Sequence, residues 1–503
     1  MIQKTWSERL WGDQSKFLYL FIAACALLFT FLGSREIWTQ EHRWADIVSG
    51  MFFRHDFLHP YLGESDYYDK PLLSYWLIAA ISYVSGQIST WALRLPSACA
   101  GLLAVWSIYR IGLKMQNKRL GLLSGWMLLT TFYFIFWAKT SSADMLNMAG
   151  SLFAVFWYFE KREQPGWFNY AVFFVVLALT ALCKGLIGAI VPLIVIFPDL
   201  VRQNEWKKHL RISFLLAMIP AALIYVFPFW ASDHFGGNNY GQSGLYLVYR
   251  ENVLRYFQPF DHKGPIYTYI LYLPIYLLPW AFFFIPSLAS LKSRWTSLSM
   301  GARWMSWAVL LLFVFLTLSG SRRNYYILPV VPFAILMTAD WILAGASAFS
   351  KRNVWAGRVA VLSFVLLFMT FDVIQPLYYS GGGMSVFARE LKADVSQEKP
   401  WSEWQFAMLD AESKVRFYLH LPPTVKDYPV KGPRDAQTSE TLLQAWPVIL
   451  QKNSNVIFVT RKMYEGQLQK ILVGYRVVEA RASLGERVMG RDNRNAPVAF
   501  IPK

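Results

Sequence analysis

The sequence predicts a polytopic α-helical membrane protein: about 11 transmembrane helices, interfacial helices in the first outer loop, and a small C-terminal extracytoplasmic α/β domain. Three observations carry this. Of 503 residues, 55% are hydrophobic, 17% aromatic and only 16% charged, against about 25% charged in a water-soluble domain. Apolar runs near the roughly 20 residues needed to cross a bilayer recur through the first three quarters of the chain. Beyond residue 376 they stop. A disordered chain and a water-soluble enzyme are both excluded.

The predicted spans are 16–34, 92–111, 119–137, 143–160, 167–184, 186–201, 211–231, 266–290, 303–320, 325–346 and 356–376. A twelfth apolar segment, 71–85, is short. The first span lacks a small-residue cleavage site after it and reads as retained. The loops around Arg110–Arg119, Lys161–Arg162, Arg202–Arg211, Lys292–Arg303 and Lys351–Arg358 are all basic. They share one side only if 71–85 does not cross, so the positive-inside rule makes 71–85 an interfacial helix, with Tyr75 and Trp76 at the headgroups. The N-terminus is then inside and the C-terminus outside. The same basic loops account for the net charge of +17, and with no soluble basic domain there is no call for nucleic acid. Cys25, Cys99 and Cys183 lie in apolar runs and carry no information about compartment.

Three regions face outward on this reading: 35–91, 232–265 and the tail 377–503, so the domains are 1–376 and 377–503. In the tail, 404–410, 455–460 and 474–481 read as strands, and 412–420 and 461–472 as helices. In the first outer loop Trp44, Ile47, Val48 and Met51 recur at helical spacing behind Glu41, Arg43 and Asp46, which predicts an amphipathic helix on the membrane surface. No internal repeat and no Walker or GxGxxG motif is present, which argues against an ATP-driven pump.

Ionisable groups near membrane depth mark candidate functional sites. Asp69-Lys70-Pro71 precedes the interfacial helix; a carboxylate beside an ammonium at a helix start can take a hydroxyl and a phosphate together. A solvated ion pair with an N-terminal helix proline is the plainer alternative. Lys139 and Asp144 flank the outer start of the fourth span, Lys184 ends an apolar span, and Arg322 and Arg323 stand with Tyr325 and Tyr326 between two spans. A single Lys at a span end commonly snorkels. Four basic clusters on one face instead describe a pocket for an anionic headgroup carrying a lipid tail. His42, His55, His59, His234 and His262 are scattered without metal-ligand spacing, and most read as surface or interfacial residues.

At this point the chain resembles the lipid-linked sugar transferases of the GT-C superfamily, in the branch of aminoarabinose (lipid A) transferases and protein O-mannosyltransferases. That family carries Asp-Glu-x-Arg-Tyr-Ala after its first span, where this chain has Gln40-Glu41-His42-Arg43-Trp44-Ala45. Its Tyr-Phe-Glu-Lys-Pro-Pro-Leu-x-x-Tyr-Trp is similar to Tyr67-Tyr68-Asp69-Lys70-Pro71-Leu72-Leu73-Ser74-Tyr75-Trp76, one residue shorter. Trp91 to Ala98, Asp144, Cys183-Lys184-Gly185, Glu251 to Tyr256, Pro279-Trp280 and Arg322 to Pro329 follow in the family's order. The likeness covers roughly residues 30–335. Three departures stand out: Gln40 replaces the lead carboxylate, Asn252 replaces a His, and Leu72 replaces the second Pro.

The resemblance implies an inverting glycosyltransferase moving a sugar from a polyprenyl-phosphate donor to a lipid A, glycolipid, glycan or protein acceptor outside the cytoplasmic membrane. It implies Glu41 and Asp144 as catalytic carboxylates and Lys70, Lys184, Arg255 and Arg322 on the donor phosphate. Arg43, Tyr67, Asp69, Glu251 and Tyr326 would contact substrate. No cofactor and no metal is called for; the partners are the lipid-linked sugar, the acceptor and membrane lipid, with the chain a monomer. A transporter or flippase of a lipid-linked anion is the rival class. It would normally bring repeats and broken helices at the midplane. A structural scaffold would have no reason for charges at span ends.

Overall fold

The computed structural model describes residues 5–38, 40–62, 65–67, 70–202, 204–235, 244–259, 262–344, 350–425, 427–428, 456–491 and 493–503. Asp69 lies outside them, as do Tyr68 and residues 236–243, 260 and 261 of the stretch 232–265. The chain divides into two compact units. The first comprises Met1–Leu32, Phe57–Pro60 and Asp66–Asp372; the second comprises Gly33–Asp56, Tyr61–Ser65 and Val373–Lys503.

The first unit is helical. Among the described residues six helices are long and apolar enough to cross a membrane: Thr90–Met115, Trp167–Lys184, Ile212–His234, Met300–Leu318, Asn324–Leu343 and Lys351–Tyr378. Thr90–Met115 packs against Ala143–Lys161 and Lys118–Leu129. At the second contact a Cβ on Gly121 would lie 2.4 Å from the Tyr109 carbonyl oxygen, so only glycine lets the two backbones meet. Polar helix starts are capped by serine hydroxyls, Ser89 accepting from Ala92 N–H and Ser299 from Ala302 N–H.

Two predicted spans are interrupted. Residues 119–137 form Lys118–Leu129 and Phe132–Ala138, bent by 69°. Between them Thr130 and Thr131 donate their hydroxyls back to the Trp126 and Met127 carbonyls (2.6 and 2.8 Å), side-chain bonds that compete with the backbone ladder. Residues 266–290 form Thr268–Tyr276 and Ala281–Ala289, separated at Pro279, which has no N–H to continue the ladder. Hydropathy averages over both breaks. The segment 71–85 is the helix Leu73–Ser85, whose 13 residues give about 20 Å, short of a hydrocarbon core.

The second unit contains a four-stranded sheet in the order Gln405–Leu409, Val456–Arg461, Pro497–Pro502, Tyr475–Glu479. The first pair is parallel, with Gln405 opposite Val456; the other two pairs are antiparallel. Side chains alternate between faces as a strand requires. Ile457, Val459, Ala499 and Ile501 pack with Phe387, Leu391 and Val395 of helix Met384–Val395. Phe458, Val498 and Phe500 pack on the other face with Leu468 of helix Glu465–Ile471. A sheet sandwiched by helices is the predicted α/β tail.

This unit also holds residues 33–56, which the sequence reading assigned to the first domain. Helix Glu41–Arg54 packs on helix Ser413–Tyr418, and its apolar residues Ile47, Val48 and Met51 are buried in protein. The Tyr418 hydroxyl accepts from Ile37 N–H at 2.8 Å, and Glu36 accepts from Met384 N–H at 2.6 Å. Gly383, at φ +84°, permits the second contact: a Cβ there would lie 2.4 Å from the Glu36 carboxylate. Amphipathic spacing found the helix but could not say that its apolar face meets the tail.

Candidate active site

A cavity of about 170 Å³ opens within the first unit. Lys70, Lys184, Glu251, Arg255 and Tyr326 line it, with Asn252 and apolar walls that include Ile187, Ile190, Pro228 and Phe315. Three cations on a mostly apolar lining suit a phosphate joined to a hydrocarbon tail.

Lys184 owes its position to the turn that ends its helix. Gly185 adopts φ +119°, and a Cβ there would sit 2.5 Å from Asn252 Oδ1. That oxygen accepts from Leu186 N–H at 2.7 Å, while Asn252 Nδ2 donates to the Val248 carbonyl at 2.8 Å. Both polar ends of the amide are therefore used in fixing the turn. The Lys184 ammonium pairs with Asp144 and lies 5.0 Å from the centre of the Tyr326 ring. Asp144 stands in the first turn of helix Ala143–Lys161, where the N-terminal dipole favours a carboxylate. The Ser142 hydroxyl accepts from Asp144 N–H (3.0 Å) and donates to its carboxylate (3.1 Å).

Glu251 lies on a π-helical turn, Arg250–Leu254, and bridges Arg250 at 2.9 Å and Arg255 at 2.8 Å. This holds the Arg255 guanidinium at the cavity wall. Lys70 reaches the same cavity from just before helix Leu73–Ser85.

Other predicted site residues lie elsewhere. Arg322 is not among the cavity lining: its guanidinium donates to the Thr317 carbonyl at 3.0 Å and the Gly264 carbonyl at 2.7 Å, bracing the end of helix Met300–Leu318 and the loop at Gly264. Tyr67 is likewise outside the lining, its N–H donating to the Pro60 carbonyl at 2.9 Å. Lys139, grouped with Asp144 by sequence, pairs instead with Asp372 at 2.6 Å and donates to the Leu27 and Thr30 carbonyls, a buried brace. His59, expected near the surface, is 2% exposed, with Nε2 2.8 Å from the Ser232 carbonyl.

Glu41, Arg43 and Asp46 belong to the second unit. Glu41 is fully buried, and its Oε2 accepts from Trp38 N–H at 2.7 Å and from Arg35 at 3.2 Å. The carboxylate thus secures the start of its own helix. Arg43 is half-buried on that helix. Burial pushes the Asp46 carboxyl up to about 6, against the opposing pull of Arg416. Sequence reasoning missed the structural duty of Asn252, which appeared only as a missing His; the adjacent Lys-Gly at 184–185, a helix-ending pair, was the available signal.

Residues 69–231 match the family model described as dolichyl-phosphate-mannose-protein mannosyltransferase. An undecaprenyl phosphate-alpha-4-amino-4-deoxy-L-arabinose arabinosyl transferase of Shewanella sediminis is 24% identical over 363 residues, 70% of this chain and 63% of its own. The same-named protein of Aeromonas salmonicida is 26% identical over 340 residues, 64% of this chain and 60% of its own. This chain is similar to those transferases over most of its membrane region. The matched part spans less than two thirds of either relative's length. The crystal structure of ArnT from Cupriavidus metallidurans bound to undecaprenyl phosphate superposes with TM-score 0.69 at 16% identity, over 96% of this chain and 98% of that one. The apo oligosaccharyltransferase of Archaeoglobus fulgidus gives 0.54 at 12% identity, over 92% and 72%. The fold is that of the solved transferases. It agrees with the resemblance read from the ordered motifs.

Proposed function

We propose that this chain is a membrane-embedded glycosyltransferase. Its donor is a sugar carried on a polyprenyl phosphate, and its acceptor is a lipid A, glycolipid, glycan or protein on the outer side of the cytoplasmic membrane. The observation that carries the reading is the cavity in which Lys70, Lys184 and Arg255 meet apolar walls. Negative charge grows on the leaving phosphate as the glycosidic bond breaks. Fixed cations set against apolar walls stabilise that charge more in the transition state than in the ground state. Asp144 holds the Lys184 ammonium, and Glu251 holds the Arg255 guanidinium, so neither cation has to reorganise during the reaction. Attack from the face opposite the leaving phosphate inverts the anomeric centre. An acceptor that is itself a phosphate needs no base; a hydroxyl acceptor would draw on Asp144. The names of the relatives favour the same donor class, since each contains a polyisoprenyl phosphate.

Eleven crossings, an inside N-terminus and an outside tail belong to the same proposal. Support comes from helix Ile212–His234, whose Leu215, Ile219, Leu223 and Phe227 are 53–66% exposed and would face lipid. The test is mass spectrometry of lipid A, glycolipid and glycoprotein fractions from cells with and without the chain. It is paired with transfer by the purified chain from a polyprenyl-phosphate sugar. A sugar-sized mass increment that depends on the chain is expected. Movement of the lipid-linked sugar across the bilayer with no new glycosidic bond would replace the transferase by a transporter.

A further inference from the structure

A second cavity lies at the far end of two helices that build the first. The candidate active site takes Ile187 and Phe315, near the start of Ile187–Arg202 and the end of Met300–Leu318. The second, of about 520 Å³, takes Arg202 and Met300, at the opposite ends of the same helices. Sixteen residues of helix separate the two by about 24 Å. The reaction proposed above makes no use of this distant cavity.

Its chemistry is that of an amphiphile's headgroup. Lys114, Arg162 and Arg202 reach it from the last turns, or just beyond, of three different helices. Asp199 is the one carboxylate in the lining. It is already engaged, accepting from Arg162 at 2.6 Å and from the Tyr158 hydroxyl at 2.9 Å. The charge of Arg162 is therefore largely matched. Lys114 and Arg202 are exposed and form no ion pair among the described residues. Phe197 and Trp307, 56% and 41% exposed, continue the cavity as an apolar wall. A free polyanion would have no use for that wall, and a neutral lipid no use for the two unmatched cations.

We infer that this cavity binds an anionic phospholipid, its phosphate between Lys114 and Arg202 and an acyl chain against Phe197 and Trp307. Basic pockets between membrane helices on the anionic leaflet are suited to such headgroups. Lys114, Arg162 and Arg202 come from three of the loops that positive-inside reasoning puts on the cytoplasmic side, the side where anionic lipid is available. The site stands whether or not the chain transfers sugar.

Native mass spectrometry of the detergent-purified full chain tests it, with phosphatidylglycerol and phosphatidylcholine of identical acyl chains as probes. Phosphatidylglycerol is expected to be retained preferentially. In the Lys114→Ala/Arg202→Ala double variant that preference should fall by about tenfold. A Lys351→Ala/Arg358→Ala variant removes the same charge from exposed positions outside the cavity and should keep it. Glycerol phosphate, which has the headgroup chemistry without tails, should fail to displace the lipid. Equal loss in both double variants would reduce the effect to diffuse charge and overturn the site. So would full preference in the cavity variant, or displacement by glycerol phosphate at matched concentration. The competition arm needs only the wild-type chain, so it stands even if a variant misfolds.

Discussion

The two units use the same kinds of side chain in opposite ways. In the first, Asp144, Lys184, Glu251 and Arg255 come from three helices, pair with one another, and leave two cations on a cavity wall. In the second, Glu41 closes onto Trp38 N–H and Arg35 within six residues of itself, and Glu36 caps helix Met384–Val395. A carboxylate whose lone pairs are spent on its own helix start lowers the energy of the fold. A carboxylate held against a cation that lines a cavity fixes where that cation points. Polar residues near membrane depth are therefore not equally informative: whether the paired cation still faces a cavity separates a site from a brace. Lys139 makes the point inside the first unit, since its pairing with Asp372 at 0% exposure takes it out of the site.

Removing the cavity cations should have the largest effect. Lys184→Ala and Lys70→Ala should each lower transfer by about 10²-fold or more, the scale of losing one charge-stabilising donor. Lys184→Arg should rescue poorly, because a planar guanidinium cannot replace a point charge between a carboxylate and the Tyr326 ring. Turnover close to wild type in a well-folded Lys184→Ala chain would remove the cavity from the chemistry. Arg322→Ala should instead act by releasing the Thr317 and Gly264 carbonyls, lowering the melting temperature more than the transfer rate.

Next in size is the contrast between the two carboxylates. Asp144→Asn removes the charge that holds Lys184 and should lower transfer by about 10-fold or more, with kcat falling more than donor affinity. Glu41→Gln should leave kcat within a few fold and lower the melting temperature, since a helix-start carboxylate contributes about 0.5–2 kcal/mol. Steady-state kinetics and melting curves on both variants decide it. A dead but fully stable Glu41→Gln chain would return Glu41 to the chemistry and make its burial a catalytic feature. Asn252→Leu sits between them. It frees Leu186 N–H and loosens the turn behind Lys184, so a several-fold loss with a matching loss of stability is expected.

Much of this was legible in the sequence, and the failures have physical causes. Ordered motifs led to Lys70, Lys184, Glu251, Arg255 and Tyr326, and all five line one cavity. The strands at 405–409, 456–461 and 475–479 were readable as short apolar runs in a polar tail, whereas Pro497–Pro502, buried on both faces like 456–461, was not read as a strand. Arg322 does not line the cavity, and sequence could not say so: it shows that an Arg is near a span end, not that the backbone carbonyls of Thr317 and Gly264 engage it. The breaks at Thr130–Thr131 and Pro279 escaped because hydropathy windows average over single residues that end a hydrogen-bond ladder. The apolar face of helix Glu41–Arg54 was seen, but an amphipathic pattern does not say whether lipid or protein covers it.

The smallest expected effect on turnover, and the cleanest on stability, comes from Asp46. Its carboxyl lies at about 6 in the folded chain, against an ordinary value of 3.8, because burial disfavours the ionised form. Below about pH 4 the group is protonated whether folded or unfolded and has no effect. Between pH 4 and 6 the unfolded chain ionises while the folded chain resists, so stability falls as pH rises; above 6 the loss is complete. At pH 7.5 it amounts to at most about 3 kcal/mol, less what the half-buried group recovers from solvent. Asp46→Asn removes the ionisation and keeps the shape. The variant should therefore melt above wild type at pH 7.5 and with it at pH 4, with transfer unchanged at both. Melting followed by tryptophan fluorescence at the two pH values measures this. A variant less stable than wild type at pH 7.5 would mean that Arg416 attracts the carboxylate more strongly than burial penalises it. Asp46 would then be a favourable charge in the second unit, and the contrast between charges that build the fold and charges that build a site would have to be drawn elsewhere.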